Sequence, residues 1–249
     1  MASVVLAYSG GLDTSVAIRW INEHYDLDVI TVTINVGNDR DLPAIAARAE
    51  KIGAIKALVV DARADFVRYF LWPALQAGAV YEGSYPLATA LARPLIARLL
   101  VEVARQEGAV AVAHGCTGKG NDQVRFDVSI NTLAPDLRII APVREWSMTR
   151  DNEIAYAAEH GIPITVSNAN SYSVDQNLWG RSIECGILED PWEEPPADVY
   201  AWTSDPSSAP TEPSYVEITF EHGIPIALNG EEIEGYELIE TLNAQAGKY

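Results

Sequence analysis

Cysteine is scarce in this chain, Cys116 and Cys185 being the two present. Two thiols make no disulfide scaffold, and they suit a reducing cytoplasm. Cys116 reads as a small packed residue beside a glycine turn, and no Ser-His-Asp or Cys-His nucleophile set is visible. His114, at an expected strand end, reads as a structural histidine with no catalytic part. Long apolar runs are lacking too: none approaches the roughly 18–20 residues that span a bilayer, so no membrane partner is expected. The N-terminus enters a strand directly, without the basic and apolar regions of a secretion signal, and a cytoplasmic location is expected. Basic charge is the third shortage, with 17 Lys and Arg against 35 Asp and Glu and a net charge of −18. The deficit is concentrated. Residues 1–165 carry 15 basic and 19 acidic groups, whereas residues 166–249 carry 2 and 16. Nucleic-acid binders show the reverse sign, so no nucleic-acid partner is expected. The acidic end reads as a solvated surface or as a face for a basic partner segment.

What is present is enough apolar material, 48% of 249 residues, for one to two domains. β-Branched apolar runs at residues 4–7, 29–34, 57–60, 109–113 and 139–143 predict strands. Helical periodicity predicts helices near 14–25, 43–52, 65–77, 89–106, 123–133 and 150–160. Asp41 before Pro43 is a helix start, and Gly53, Gly108 and Gly161 stand where helices stop. Pro94 implies either a kink or a helix beginning near Arg93. Alternating strands and helices imply an α/β fold, a doubly wound parallel sheet, over residues 1–165. Residues 162–213 are punctuated by proline and read as ordered but irregular chain. Their Tyr172, Trp179, Trp192 and Trp202 argue for packing. Residues 215–220 and 224–228 predict strands, with turns at His222-Gly223 and Asn229-Gly230, and residues 235–246 predict a helix. Residues 166–249 are therefore expected to form a second, smaller α+β domain.

Two stretches carry chemistry. Ser9-Gly-Gly-Leu-Asp-Thr-Ser15 lies between the first strand and the first helix. Such a turn aims backbone N–H groups and a helix N-terminus at one point, which favours an anion. Gly10 and Gly11 allow close approach, and Ser9, Thr14 and Ser15 add hydroxyls. No lysine lies in the loop, so it is not a Walker A motif. It resembles the pyrophosphate loop of enzymes that cleave ATP between the α- and β-phosphates. The second stretch, His114-Gly-Cys-Thr-Gly-Lys-Gly-Asn-Asp-Gln-Val-Arg125, follows the fourth strand and opens a helix near Asn121. If the strand order is 3-2-1-4-5, the two loops meet at the point where the order reverses, and such points bind ligands. There Lys119 could neutralise phosphate, Asp122 could hold an amine or Mg²⁺, and Arg125 could grip a carboxylate.

With Leu91-Ala-Arg-Pro94 and Asn177-Leu-Trp-Gly-Arg-Ser182, these stretches make the chain resemble the argininosuccinate synthase family from about Val4 to Lys248. The first motif marks the wider ATP-pyrophosphatase group; the second is specific to this family. The resemblance implies a Rossmann-like, adenine nucleotide alpha hydrolase-like sheet followed by part of a synthetase domain. It also implies a ligase of arginine biosynthesis: ATP adenylates citrulline with release of pyrophosphate, and aspartate displaces AMP to give argininosuccinate. By motif, Ala7, Tyr8, Ser9, Gly10, Gly11, Leu12, Asp13, Thr14 and Ser15 would hold ATP, with Ile34 and Gly115. Tyr85, Asn121, Arg125, Ser173 and Ser182 would bind citrulline, and Thr117, Asn121 and Asp122 would bind aspartate. Asp13 and Asp122 are the candidates for organising Mg²⁺ or polar geometry. Ala90 stands where the family often has serine, so one citrulline hydrogen bond is expected to be absent. Family members continue beyond the position of Tyr249, with further citrulline contacts and a helix that locks a homotetramer. An ATP-binding module without turnover, and another ATP-pyrophosphatase that amidates or thiolates a different substrate, are the alternatives.

Overall fold

The computed structural model describes residues 2–38, 40–163 and 172–249. The chain divides into two compact units. The first is Met1–Asn35, Asp39–Asp61 and Ala92–Val166; the second is Val36–Asn38, Ala62–Leu91 and Ser167–Tyr249. The boundary expected between residues 165 and 166 lies outside the described residues.

The first unit is built on strands β1 (Ser3–Ala7), β2 (Asp28–Asn35), β3 (Lys56–Asp61), β4 (Ala111–Ala113) and β5 (Arg138–Ile140). Their order is β3-β2-β1-β4-β5, every pair parallel. The central strand β1 is buried as a continuous apolar run, as a parallel strand covered on both faces must be. Helix α1 (Leu12–Tyr25) buries Val16, Ala17, Ile18, Trp20 and Ile21 in a core shared with Val4, Leu6, Ile140 and Trp146. Helix α2 (Leu42–Ile52) starts as its sequence demands: Asp41 accepts the Ala44 N–H at 3.0 Å, and Gly53 closes the helix at φ +126°.

Between β3 and β4 the chain runs through α3 (Arg63–Phe66), one wide π turn (Val67–Leu71), α4 (Trp72–Gln76) and α5 (Ala88–Glu107). The single helix expected over residues 65–77 is therefore broken. Pro73 has no N–H for the Tyr69 carbonyl and its ring would collide with that group, so the preceding turn widens. Helix α5 begins at Ala88, close to the expected residue 89, with Pro94 inside it; of the two readings of Pro94, the start near Arg93 is not the one observed. Helix α6 (Asp122–Leu133) follows β4. Strand β5 ends at Ile140 rather than running to residue 143, because Pro142 fixes a helical φ and opens the short α7 (Pro142–Glu145). Helix α8 (Arg150–Glu159) is entered through a capping box between Thr149 and Asn152.

In the second unit, residues expected to be irregular form an antiparallel hairpin, β6 (Ser173–Asn177) with β7 (Gly180–Glu184). Both strands are polar and so lacked the apolar signature of a strand. Beyond it, β8 (Ile218–Glu221), β9 (Ile224–Leu228) and the short β10 (Glu231–Glu232) form a sheet in the order β10-β9-β8. Its two turns, His222-Gly223 and Asn229-Gly230, have positive φ at both residues, the conformation that two-residue hairpins favour. Helix α9 (Gly235–Ala246) follows.

Candidate functional site

In the first unit the strand order reverses between β1 and β4, and the two glycine-rich loops leave the carboxyl ends of these two neighbours. The loops pack together: a Cβ on Gly115 would stand 2.8 Å from Thr14 Cγ2.

The first loop is held from several sides. Gly10 takes φ +75°, a conformation that suits glycine, and a Cβ there would stand 3.2 Å from Ile45 Cγ1. Thr33 Oγ1 donates to the Tyr8 carbonyl at 3.1 Å. Tyr8 Oη pairs with Ser15 Oγ at 3.1 Å, and Ser9 Oγ with Thr14 Oγ1 at 3.1 Å. Burial pushes the Tyr8 phenol up, opposed by the Ser15 hydrogen bond and the Arg48 charge. Arg40 donates to the Ser9 carbonyl at 2.9 Å and Arg48 to the Gly10 carbonyl at 3.1 Å. Arg40 and Arg48 were not singled out by the sequence; their distance along the chain hides the contact. Both guanidiniums add positive charge where the loop's own amides already favour an anion. Gly11 caps α1 with no side chain over the helix N-terminus, so its first N–H groups stay open to a ligand. Ser9 and Gly11 are exposed, while Thr14 and Ser15 are buried beneath them. Ile34 ends the buried run of β2, next to β1.

Asp13 takes a partner that was not anticipated. Its carboxyl faces that of Glu153 in α8, a residue only 6% exposed. Burial, then the Asp13 hydrogen bond and charge, raise the Glu153 carboxyl far above the usual carboxylate range. Glu153 therefore carries the proton that lets the two acids lie together.

The second loop presents Thr117, Lys119 and Asn121 to solvent, with Asp122 half-buried at the start of α6. Asp122 accepts from Arg93 at 2.8 Å and from Arg125 at 2.7 Å, one arginine on each carboxylate oxygen. The Cys116 thiol is pushed up to about 11, chiefly by burial, so it stays protonated. Among the described residues no cluster of three or more His, Cys, Asp or Glu side chains could hold a metal ion. With Asp13 facing a protonated acid and Asp122 bridging two arginines, neither fits as a resident Mg²⁺ ligand.

The second unit contributes a cavity of about 190 Å³ lined by Tyr85, Thr89, Ser173, Asp175, Ser182 and Glu184. The hairpin register explains it. Ser173 stands opposite Glu184 and Asp175 opposite Ser182, so all four side chains share one face. Asn177 anchors the hairpin by donating to the Ala88 carbonyl at 2.7 Å. Tyr85 Oη accepts the Thr89 N–H at 3.3 Å. Tyr85, Ser173 and Ser182 are thus brought together, and Asp175 and Glu184, not anticipated, join them. Asn121 and Arg125 belong to the first unit.

Residues 3–163 match the model of the arginosuccinate synthase N-terminal HUP domain, and residues 172–249 that of the arginosuccinate synthase C-terminal domain. The chain belongs to the argininosuccinate synthase family. Argininosuccinate synthase of Dictyoglomus turgidum is 60% identical over 246 residues, covering 99% of this chain and 61% of its own length. That of Dehalococcoides mccartyi strain 195 is 57% identical over 244 residues, covering 98% and 60%. That of Oceanobacillus iheyensis is 57% identical over 246 residues, covering 99% and 59%. The chain thus spans about three fifths of the length of these argininosuccinate synthases. No helix among its described residues is long and apolar enough to cross a membrane.

Proposed function

We propose that this chain carries the nucleotide-binding part and a portion of the substrate-binding part of an argininosuccinate synthase. The reaction joins citrulline and aspartate at the expense of ATP. The observation that carries the reading is the contact of two glycine-rich loops at the reversal point of a parallel sheet, within a chain of this family.

In the first step the ureido oxygen of citrulline attacks the α-phosphorus of ATP. An O–P bond forms, the bond to the bridging oxygen breaks, and pyrophosphate leaves. The open N–H groups at the start of α1, with Ser9, Arg40 and Arg48 nearby, suit the charge of that leaving group. In the second step the aspartate amine attacks the activated ureido carbon and AMP departs with the oxygen. Thr117, Asn121 and Asp122 would hold aspartate. Asp122 is preset by Arg93 and Arg125, so a substrate ammonium would meet a carboxylate that is already oriented. Tyr85, Ser173 and Ser182 of the second unit would hold citrulline. Asp175 and Glu184 give the cavity an acidic wall suited to its α-ammonium group. Mg²⁺ would accompany the triphosphate, and a cytoplasmic location belongs to the same reading; the homotetramer is a property of the family, whose locking helix follows the position of Tyr249.

The test is pyrophosphate release from Mg-ATP, first alone, then with citrulline, then with aspartate added. The expected result is release that depends on citrulline and yields argininosuccinate once aspartate is present. Release with ammonia or a tRNA, and none with citrulline, would assign the loops to another ATP-pyrophosphatase reaction. ATP binding without any release would reduce the chain to a nucleotide-binding module.

A further inference from the structure

His114 closes β4 with 1% of its surface exposed, yet both ring nitrogens have polar partners. Nδ1 lies 3.2 Å from the backbone N–H of Cys116, which can only donate, so Nδ1 accepts and carries no proton. The ring proton is then on Nε2, which donates to Asp127 Oδ1 at 2.9 Å. The second oxygen of Asp127 accepts from Arg144 at 2.8 Å. Burial pulls the Asp127 carboxyl up, but the hydrogen bonds from His114 and Arg144 outweigh it and hold the group below its ordinary value. Asp127 is therefore a carboxylate and a fixed acceptor. The imidazole plane is set by stacking on Phe126, with centroids 5.2 Å apart and an interplanar angle of 21°.

The same network grips the loop again further along. Gln123 Nε2 donates to the Gly118 carbonyl at 2.8 Å, and Gln123 Oε1 accepts from Arg144 at 3.0 Å. Arg144 thus joins the histidine side and the glutamine side of the loop. Gly115, Cys116 and Thr117 lie between these two ties, with Gly115 against Thr14 of the other loop.

We propose that His114 is a positioning residue: as a neutral ring protonated on Nε2, it holds the Cys116 amide and so sets the backbone through Gly115 and Thr117. The ligands that benefit, nucleotide and aspartate, are those of the proposed function, and the inference rests on that reading for their identity. The groups facing the ring are Asp127 from α6, Arg144 from α7 and Cys116 from the loop itself. Burial pulls the ring below its ordinary 6.5, against the opposing pull of Asp127. The native ring therefore stays neutral where an unfolded one would begin to charge. Stability from this site is present above about pH 6.5 and is lost as pH falls through the lower native value. A proton added to Nδ1 would set donor against donor at Cys116 and release the loop.

Two variants separate positioning from simple packing. In His114→Asn the side-chain oxygen can take the place of Nδ1 and keep the Cys116 contact, but it does not titrate. In His114→Gln the amide can take the place of Nε2 and keep Asp127, but it leaves Cys116 unpaired. Binding of Mg-ATP and of aspartate is measured by calorimetry across acid to neutral pH, with ring-nitrogen and Cys116 amide NMR signals followed in parallel. The expected results are an Nε2-protonated ring at neutral pH and wild-type affinity that falls on acidification together with the Cys116 signal. The Asn variant should bind nearly as well as wild type with a flatter pH profile. The Gln variant should bind roughly three- to tenfold more weakly at every pH, the loss of about one hydrogen bond. An Nδ1-protonated or charged ring at neutral pH would overturn the proposal, as would equal affinities in the two variants. If the wild type binds no ATP, the proposed function fails, while the ring and amide signals still decide whether His114 sets the loop.

Discussion

The contact between Gly115 and Thr14 makes the joined loops testable by substitution. In Gly115→Ala the new methyl would stand 2.8 Å from Thr14 Cγ2, against about 3.5–4.0 Å for an ordinary carbon contact. Thr14 cannot easily yield. It is 8% exposed, and its hydroxyl is held by Ser9 at 3.1 Å and by the Gly11 carbonyl at 3.4 Å. Overpacking of this kind costs about 1–3 kcal/mol, or a fall in melting temperature of roughly 2–12 °C for a chain of this size. If the loops are forced apart instead, ATP binding should weaken by about 1 kcal/mol, roughly fivefold. Thr14→Ser alone removes the opposing methyl and should cost about 1 kcal/mol. In the double variant the alanine methyl occupies the space that the threonine methyl left, so stability and ATP affinity should return close to wild type. Urea unfolding and calorimetry on all four proteins give the cycle. A coupling of about 1–3 kcal/mol is expected, and additivity within about 0.5 kcal/mol would refute the contact.

Three further outcomes follow from other sites. Glu153 keeps its proton where an unfolded glutamate, near 4.5, has lost it, so its contribution should fall as pH rises, by at most about 1.4 kcal/mol per pH unit. Glu153→Gln keeps a donor for Asp13 and removes this slope; urea midpoints that decline equally in both proteins from acid to alkaline pH would contradict the pairing. Gly37→Ala places a Cβ 2.3 Å from Leu178 Cγ at φ +89° and should cost about 2–4 kcal/mol in thermal unfolding; a neutral result would mean that the contact is absent. The Cys116 thiol, raised to about 11, should react slowly with iodoacetamide near neutral pH, behind the exposed Cys185, as mass spectrometry can resolve; faster labelling of Cys116 would show an open thiol.

What could be read from the sequence is what is local. The parallel sheet announced itself through β-branched runs spaced by helical periods, and the strand order that would join the two loops is the one observed. Asp41, Gly53 and the two positive-φ hairpin turns act through their own backbone, so their residue types suffice. The wide turn before Pro73 and the early end of β5 at Pro142 were missed because helical and apolar periodicity ran straight across both prolines. The β6–β7 hairpin was missed because its side chains face a polar cavity. Once the hairpin is known, alternation assigns Asp175 and Glu184 to the face of Ser173 and Ser182. The least legible features are long-range polar pairs. Glu153 looks like an ordinary acidic residue in the first turn of a capped helix, and nothing local links it to Asp13. Arg93 stood in a motif, but its bond to Asp122 depends on tertiary packing.

The most direct measurement is to supply citrulline labelled with ¹⁸O in its ureido group, together with Mg-ATP and aspartate, and to analyse the AMP formed. If the ureido oxygen attacks the α-phosphorus, the label appears in AMP in proportion to the argininosuccinate made. Unlabelled AMP released alongside labelled citrulline would mean that water, not citrulline, opens the triphosphate at these loops, and the proposed reaction would be wrong.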